Sequence, residues 1–576
     1  MRFLSLLTLL CLLGFSVSAQ QVYPTDYFDW PLRLPVSLSA SFGEIRPNHF
    51  HSGLDLRIGG KIGEPVYAPA DGYVSRINVS PWGGGKVLYI THSNGYRTVY
   101  MHLNDFCGEI GRWVRNYQYS HRTFQFDVEL GDDTIHVTRG QLIAHAGNTG
   151  GSGGPHLHYE IRYAHNDQPI NPLYFGVNYS DAIPPTIRNV KVYPADALST
   201  VEGRHAAVAL KETKRGKKPV TIRHDTVRVE GRCYVGIYAT DVSEPSTGKN
   251  GVERIELFVD DKLFYTYSVP TFLFEDTRVV NSLIDYSEYQ RSREYYLLTR
   301  QLRGPQNTQS KAQSDGGILN FPDGGLHKLR YVVRDYKGNK AEQVFFIRAT
   351  RGETEETAST DFVENVDVVG EPITYYKKWQ FVRPGFYVNM DENTVYDNDY
   401  VTYACGQRSG YLSPTHSLML QRHPLPPHKS FKVFIAEPPC AEVLKSKMVV
   451  VCIEGKRRTA CATRRIDGWL EATTRAFGTF AVTLDTVAPQ LKPLNFTSGK
   501  AFVGTELRSK LTDDLSGLQA YHCFVNGQWV LSEYDGKTTT LTTDVRAALE
   551  KGRNEVRYEV YDVVGNRKEW KFTIVR

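Results

Sequence analysis

The chain has 576 residues, with 68 Lys and Arg against 63 Asp and Glu, a formal charge of +5. At roughly 100–200 residues per domain this length implies three or four domains, each able to bury its own core. So even a charge balance argues against a nucleic-acid partner, and no later window reaches the ~18 apolar residues of a membrane span.

The opening MRFLSLLTLLCLLGFSVSAQQ combines a charged Arg2, an apolar run from Phe3 to about Phe15, and the small-residue site Val17, Ser18, Ala19. That layout predicts a secretory signal peptide over 1–19 and an exported protein of the periplasm, the cell envelope or the cell surface. Of the eight cysteines, one lies in this leader. Cys405, Cys440, Cys452 and Cys461 fall in one later region, where an oxidising compartment predicts a disulfide or two. No CxxC spacing occurs, which speaks against a structural zinc knot.

Beyond the leader the chain reads as short alternating runs, rich in Tyr and Phe and broken by Gly, Asn, Asp and Pro, so the expected fold class is mainly β. In KVLYITHSNGYRTVYMHL (86–103), Asn94-Gly95 separates two alternating runs, a hairpin signature. Helical periodicity is confined to about 284–302 and Ile110–Tyr119. An internal repeat follows. GVERIELFVDDKLFYTY (251–267) with HKLRYVVRDYKGNKAEQVFFI (327–347) parallels SGLQAYHCFVNGQWVLSEY (516–534) with NEVRYEVYDVVGNRKEWKFTI (554–574). Each copy ends a strand on Asp, turns through Gly-Asn and closes with another strand, a pattern that suits an antiparallel sandwich and resembles bacterial immunoglobulin-like modules. Pro-marked junctions and the polar stretch 349–361 then divide the chain. An N-terminal module spans 20–183, a β-sandwich 184–350 with an insertion near 268–322, a β-rich domain of unnamed class 351–485, and a second sandwich 486–576.

Histidines concentrate in the N-terminal module. In GGSGGPHLHYEIRY (150–163), His156, His158 and Glu160 alternate and so share one face of an extended strand. NHFHSGLDLRIG offers His51 and Asp55, which share a face if the chain is extended, although Gly53 between them can bend it. TVYMHL ends on His102, and His49, His92 and His145 lie in the same module. Catalytic zinc takes three ligands from His, Asp or Glu, so spacing favours a metal site without choosing its ligands. The glycines 147–154 contain no phosphate-loop pattern and are expected to let the backbone turn into the histidine strand.

Four ordered segments, FGEIRPNHFHSGLDL, EPVYAPADGYV, GGGKVLYITHSNGYRTVYMHL and RGQLIAHAGNTGGSGGPHLHYEIR, resemble the zinc metallopeptidases of the lysostaphin and LytM family, which cleave peptide cross-links of peptidoglycan. The resemblance covers roughly residues 40–163. It implies an antiparallel β-sheet core, one Zn2+ held by His51, Asp55 and His158, and catalytic, non-ligand roles for His102 and His156. It leaves His49, His92 and His145 outside the ligand set and makes Glu160 a supporting or structural residue. One departure stands out: residues 104–136 intervene where the family runs on directly, and Trp113, Tyr117, Tyr119 and Phe124 with Arg112, Arg115 and Arg122 either wall a substrate groove or pack as an added helix and hairpin.

The expected function is therefore an exported zinc endopeptidase of cell-wall peptides. A non-catalytic relative that binds and activates other wall hydrolases would show a degenerate site, whereas all five family positions are filled here. A glycan-binding surface protein with a vestigial N-terminal module is the third class, disfavoured on the same ground. The C-terminal β-domains are expected to position the enzyme on wall polymer or on an envelope protein partner. Trp469, Trp529 and Trp570 are more consistent with core packing than with sugar stacking.

Overall fold

The computed structural model describes residues 22–214, 220–223, 225–243, 248–305, 307–350 and 370–576. The leader 1–19 and most of the linker 349–361 lie outside the described residues. The architecture is mostly β. No helix among the described residues is long and apolar enough to cross a membrane.

The N-terminal module is built on a nine-stranded antiparallel sheet. Its main path runs Leu38–Ala40, Leu54–Arg57, His156–Tyr163, Tyr96–Met101, Lys86–Thr91, Gly72–Val79 and Phe126–Glu129. The Asn94-Gly95 turn joins two of these strands, with Gly95 at φ 84°, a value glycine adopts without steric cost. Strand His156–Tyr163 lies inside the sheet between Leu54–Arg57 and Tyr96–Met101. Its odd-numbered residues Leu157, Tyr159 and Ile161 enter the hydrophobic core, while His158, Glu160 and Arg162 are buried on the opposite face. A smaller sheet, Pro65–Tyr67, Leu142–Ala146 and Leu103–Phe106, packs into the same module.

The insertion 104–136 continues strand Leu103–Phe106 into a helix, Gly108–His121, that buries Ile110, Val114 and Gln118 at four-residue spacing and ends on Arg122 in the left-handed region. Its aromatics pack chiefly on one another. Trp113 stacks on Tyr117 at 5.3 Å, Tyr117 meets Phe126 at 4.7 Å, and Phe124 is buried. Tyr119 reaches out to Trp529 of the last domain at 5.2 Å. Nearby, Lys86 Nζ pairs with Glu533 at 2.8 Å, Lys537 donates to the Asn148 carbonyl, and the Trp82 ring lies against Gly536.

The helix expected over 284–302 is shorter. Asp285 caps a helix at Tyr286–Ser292, and Arg293, at φ 64°, ends it. The chain then continues into strand Leu297–Leu298, paired with Gly236 and Ile237. Aromatic and Leu residues that could line a helix face are buried in that extended segment.

In the first β-region a four-stranded and a seven-stranded sheet share the core of the N-terminal module. Its insertion supports the module directly: Phe272 lies 5.6 Å from Phe42 and 5.5 Å from Phe50, and Thr277 Oγ1 accepts from the Phe50 amide at 2.8 Å. Residues 371–485 form a six-stranded and a five-stranded sheet around a separate core. The last region has two four-stranded sheets around a third core. The repeat is a repeat of topology. Strands Lys262–Ser268, Arg254–Val259, Leu326–Arg334 and Lys340–Thr350 are neighbours in the same order as Gln528–Val530, Leu518–Val525, Arg553–Asp562 and Arg567–Val575. Trp469, Trp529 and Trp570 are all half-buried.

The expected disulfides are absent: Cys405, Cys440, Cys452 and Cys461 are free thiols, as are Cys107, Cys233 and Cys523. Cys452 is buried in a core with Cys461 beside it, both as thiols, and Cys405 is exposed.

Candidate metal centre and active site

Strand pairing places His158 opposite Asp55. His51 lies outside that strand, and the chain bends at Gly53 to bring it back. A Cβ on Gly53 would sit 2.4 Å from the Tyr159 carbonyl and 2.8 Å from His158 Nε2, so only glycine lets this loop lie against the histidine strand. The His51–Asp55 pair is thus made by a bend rather than by the shared face of an extended chain.

Three ligand atoms then converge. Asp55 Oδ1 is 3.0 Å from His51 Nε2 and 2.9 Å from His158 Nδ1, and the two nitrogens are 3.0 Å apart. The outer nitrogens fix the tautomers. His51 Nδ1 is 2.7 Å from the Ser41 carbonyl, which only accepts, and His158 Nε2 is 2.8 Å from Glu160 Oε1. In neutral rings the two inner nitrogens therefore carry lone pairs, aimed with a carboxylate oxygen at one point. Such a donor set is stable only with a cation among its members, and two imidazoles plus one carboxylate suit zinc with one position left open.

Without a metal, a proton fills that role. Burial opposes charge on His158, but Asp55 and Glu160 outweigh it and raise its pKa to about 9. Burial likewise opposes the Asp55 charge, and His51, His156 and His158 overcome it, holding the carboxyl well below its usual range. Arg46 Nη2 lies 3.4 Å from the other Asp55 oxygen, Oδ2.

His102 and His156 stand beside this trio, their ring centroids 4.8 Å apart. His102 Nδ1 is 2.8 Å from the Thr149 carbonyl and His156 Nδ1 is 2.8 Å from the Gly154 carbonyl, so each ring is held with Nδ1 protonated and Nε2 available. His156 Nε2 is 3.4 Å from Asp55 Oδ1. His102 directly follows strand Tyr96–Met101 at φ 61°, and its amide donates to the Gly84 carbonyl at 2.8 Å. The glycine loops cross here, Gly150 at φ 67° passing so close to Gly85 that a Cβ would lie 2.3 Å from its nitrogen. Burial, reinforced by the charges of His158 and His156, pushes the His102 pKa down to about 3, so this ring is neutral at ordinary pH.

The remaining histidines lie elsewhere. His49 is exposed and faces the Pro47 carbonyl. His92 is buried between the Asp71 carbonyl and Thr98, and His145 pairs with Asp105 at 2.6 Å.

Glu160 is fully buried and central to the support of His158. Its Oε1 accepts from His158 Nε2 and, at 2.5 Å, from Ser52 Oγ, while Oε2 accepts from Arg162 Nε. Burial alone would raise its pKa, yet Arg162 and His158 hold it at about 2. Glu160→Ala is expected to cost about 3–5 kcal/mol in denaturant melts, because the buried Arg162 guanidinium loses its counter-charge. Glu160→Gln keeps the volume and is expected to weaken metal binding about 10–100-fold through loss of the charged partner of His158. The folded pKa lies below the unfolded value of about 4.3, so the contribution of Glu160 to stability is full above that pH and is lost as pH falls toward 2.

Sequence reasoning did not find Ser41, Thr149 and Gly154, whose carbonyls orient the rings. They act through the main chain and carry no side-chain signature. Arg162 did have a signal, since it continues the alternation of His156, His158 and Glu160.

Residues 49–119 and 116–172 match peptidase family M23, and residues 371–485 match a Zu5-like domain. An uncharacterized metalloprotease of Haemophilus influenzae is 30% identical over 199 residues, covering 33% of this chain and 33% of its own. The DD-carboxypeptidase/endopeptidase Mpg of Neisseria meningitidis is 32% identical over 172 residues, 30% of this chain and 31% of its own. The peptidoglycan DD-endopeptidase ShyA of Vibrio cholerae is 31% identical over 134 residues, 23% of this chain and 25% of its own. The chain thus spans a third or less of the length of these relatives. The match encloses His51, Asp55, His102, His156 and His158, and over residues 49–172 this chain carries a peptidase family M23 domain of the LytM type, followed by β-rich domains.

Proposed function

We propose that the protein is an exported zinc-dependent endopeptidase that hydrolyses peptide cross-links of bacterial peptidoglycan. The observation that carries the reading is the convergence of His51 Nε2, Asp55 Oδ1 and His158 Nδ1, with outward nitrogens already committed to Ser41 and Glu160, beside two further oriented imidazoles. In this reading His51, Asp55 and His158 hold one zinc, and His102 and His156 are the catalytic pair. When bound, the zinc supplies Lewis acidity that lowers the pKa of water and polarises the scissile carbonyl. Each histidine of the pair keeps its Nδ1 proton on a main-chain carbonyl and offers Nε2. The pair accepts a proton from the attacking water and returns one to the leaving amine, while the charged ring faces the developing oxyanion.

The relatives named for action on peptidoglycan support the substrate class, and the leader 1–19 supports an envelope location. The chain is read as signal peptide 1–19, peptidase domain 20–183, immunoglobulin-like sandwiches at 184–350 and 486–576, and the Zu5-like domain between them. A regulator without turnover would not need the five positions filled.

The test is digestion of purified peptidoglycan with zinc-loaded mature protein, counting new amino termini. They are expected to appear, to stop appearing on chelation and to resume on adding zinc. No new termini from zinc-loaded protein would overturn the proposal.

A further inference from the structure

The Asp and Asn of the turn that closes each copy of the repeat have a use that the peptidase reading does not absorb. Asp335, at the end of strand Leu326–Arg334, accepts at Oδ1 from the amides of Lys337 at 2.8 Å and Asn339 at 2.9 Å. The Asn339 side chain bridges Asp335 Oδ2 at 2.9 Å and the Asp181 carbonyl at 3.1 Å. Asp181 lies on the connector between the N-terminal module and strand Thr186–Pro194. Asp241 follows strand Cys233–Thr240, and one carboxylate oxygen from each of the three lies within 4.8 Å of the others.

Two of these groups are deeply buried, Asp241 at 3% exposure and Asp335 at 1%. Asp241 Oδ1 has no hydrogen-bond partner, and neither Asp241 nor Asp335 forms an ion pair among the described residues. Asn250, tied to Asp241 by main-chain bonds of 3.0 and 2.8 Å, also buries an unpartnered Oδ1. Three carboxylates converging with an unsatisfied oxygen among them need a proton or a cation. Burial, then Asp335 and Asp181, raise the Asp241 pKa to about 7, which is how the cluster answers when only a proton is available.

We infer that Asp181, Asp241 and Asp335 form a calcium site at the junction between the N-terminal module and the first β-region. The donors are all hard oxygens with no nitrogen or sulfur, which favours Ca2+ or Mg2+ over zinc, and an irregular set of carboxylates suits calcium, which accepts 6–8 oxygens in flexible geometry. The second copy of the repeat keeps the bridge without the convergence. Asn566 again bridges Asp562 Oδ2 and the Asp485 carbonyl, main-chain donors reach carboxylates in both copies (Ile183 N to Asp181 Oδ1 at 3.1 Å, Gly517 N to Asp513 Oδ2 at 2.7 Å), and Asp513 also buries an unpartnered Oδ1, but among the described residues Asp485, Asp513 and Asp562 do not gather as the first three do. Calcium at the first junction would fasten the connector to the β-region whose Phe272 and Thr277 support the loop bearing His51.

The test uses the full mature chain, loaded with zinc so that the histidine site is filled, and titrated with calcium chloride by calorimetry and equilibrium dialysis. One calcium per chain is expected, with a Tm that rises as calcium is added. Asp241→Asn is expected to abolish binding. Asp181→Asn, on the half-buried connector where folding is least at risk, is expected to weaken it about tenfold or more. No calcium retained by the wild-type chain, or binding unchanged in Asp181→Asn, would overturn the inference.

Discussion

His158→Ala is expected to lose metal and turnover together. It removes one of three converging donors and leaves His51 Nε2 and Asp55 Oδ1, which alone do not make a zinc site. Lewis-acid stabilisation is worth several kcal/mol, so peptidoglycan cleavage should fall by roughly 10³-fold or more. The fold should survive, because Glu160 keeps Arg162 and Ser52 and the opposite face of the strand stays packed by Leu157 and Tyr159. Metal analysis and amino-terminus counting on the same preparation check both parts.

His156→Ala is expected to separate the two properties. Its Nδ1 is committed to the Gly154 carbonyl, and its Nε2 stands 3.4 Å from Asp55 Oδ1, outside the trio whose atoms are 2.9–3.0 Å apart. The variant should therefore bind one zinc per chain as the wild type does, while turnover drops by about 10²–10⁴-fold, the scale of one positioned acid–base group. Circular dichroism and metal analysis should be unchanged, and amino-terminus counting should register the loss.

Much of this site could be read from alternation. A period of two along HLHYEIR places His156, His158, Glu160 and Arg162 on one face, and the Asn94-Gly95 turn leads into the strand that His102 follows. The junction of His51 with Asp55 was less legible, because it depends on how closely Gly53 approaches a carbonyl of a strand about a hundred residues away. The orientation of each ring was not legible at all, since it is set by main-chain carbonyls brought in by tertiary folding. The helix stops at Ser292 rather than near 302: apolar spacing after Arg293 fits either period, and pairing with Gly236 and Ile237 decides for the strand. The repeat was visible as sequence, and the same four-strand order recurs in both copies. The support given to the His51 loop by Phe272 and Thr277 joins two domains, and no local pattern announces it.

The proposed function divides labour within the HLH strand, giving the metal to His158 and not to His156. The most direct test is zinc per chain, measured by elemental analysis on zinc-loaded, dialysed His156→Ala and His158→Ala beside wild type. One zinc is expected for wild type and His156→Ala and none for His158→Ala. Zinc lost from His156→Ala and kept by His158→Ala would contradict it.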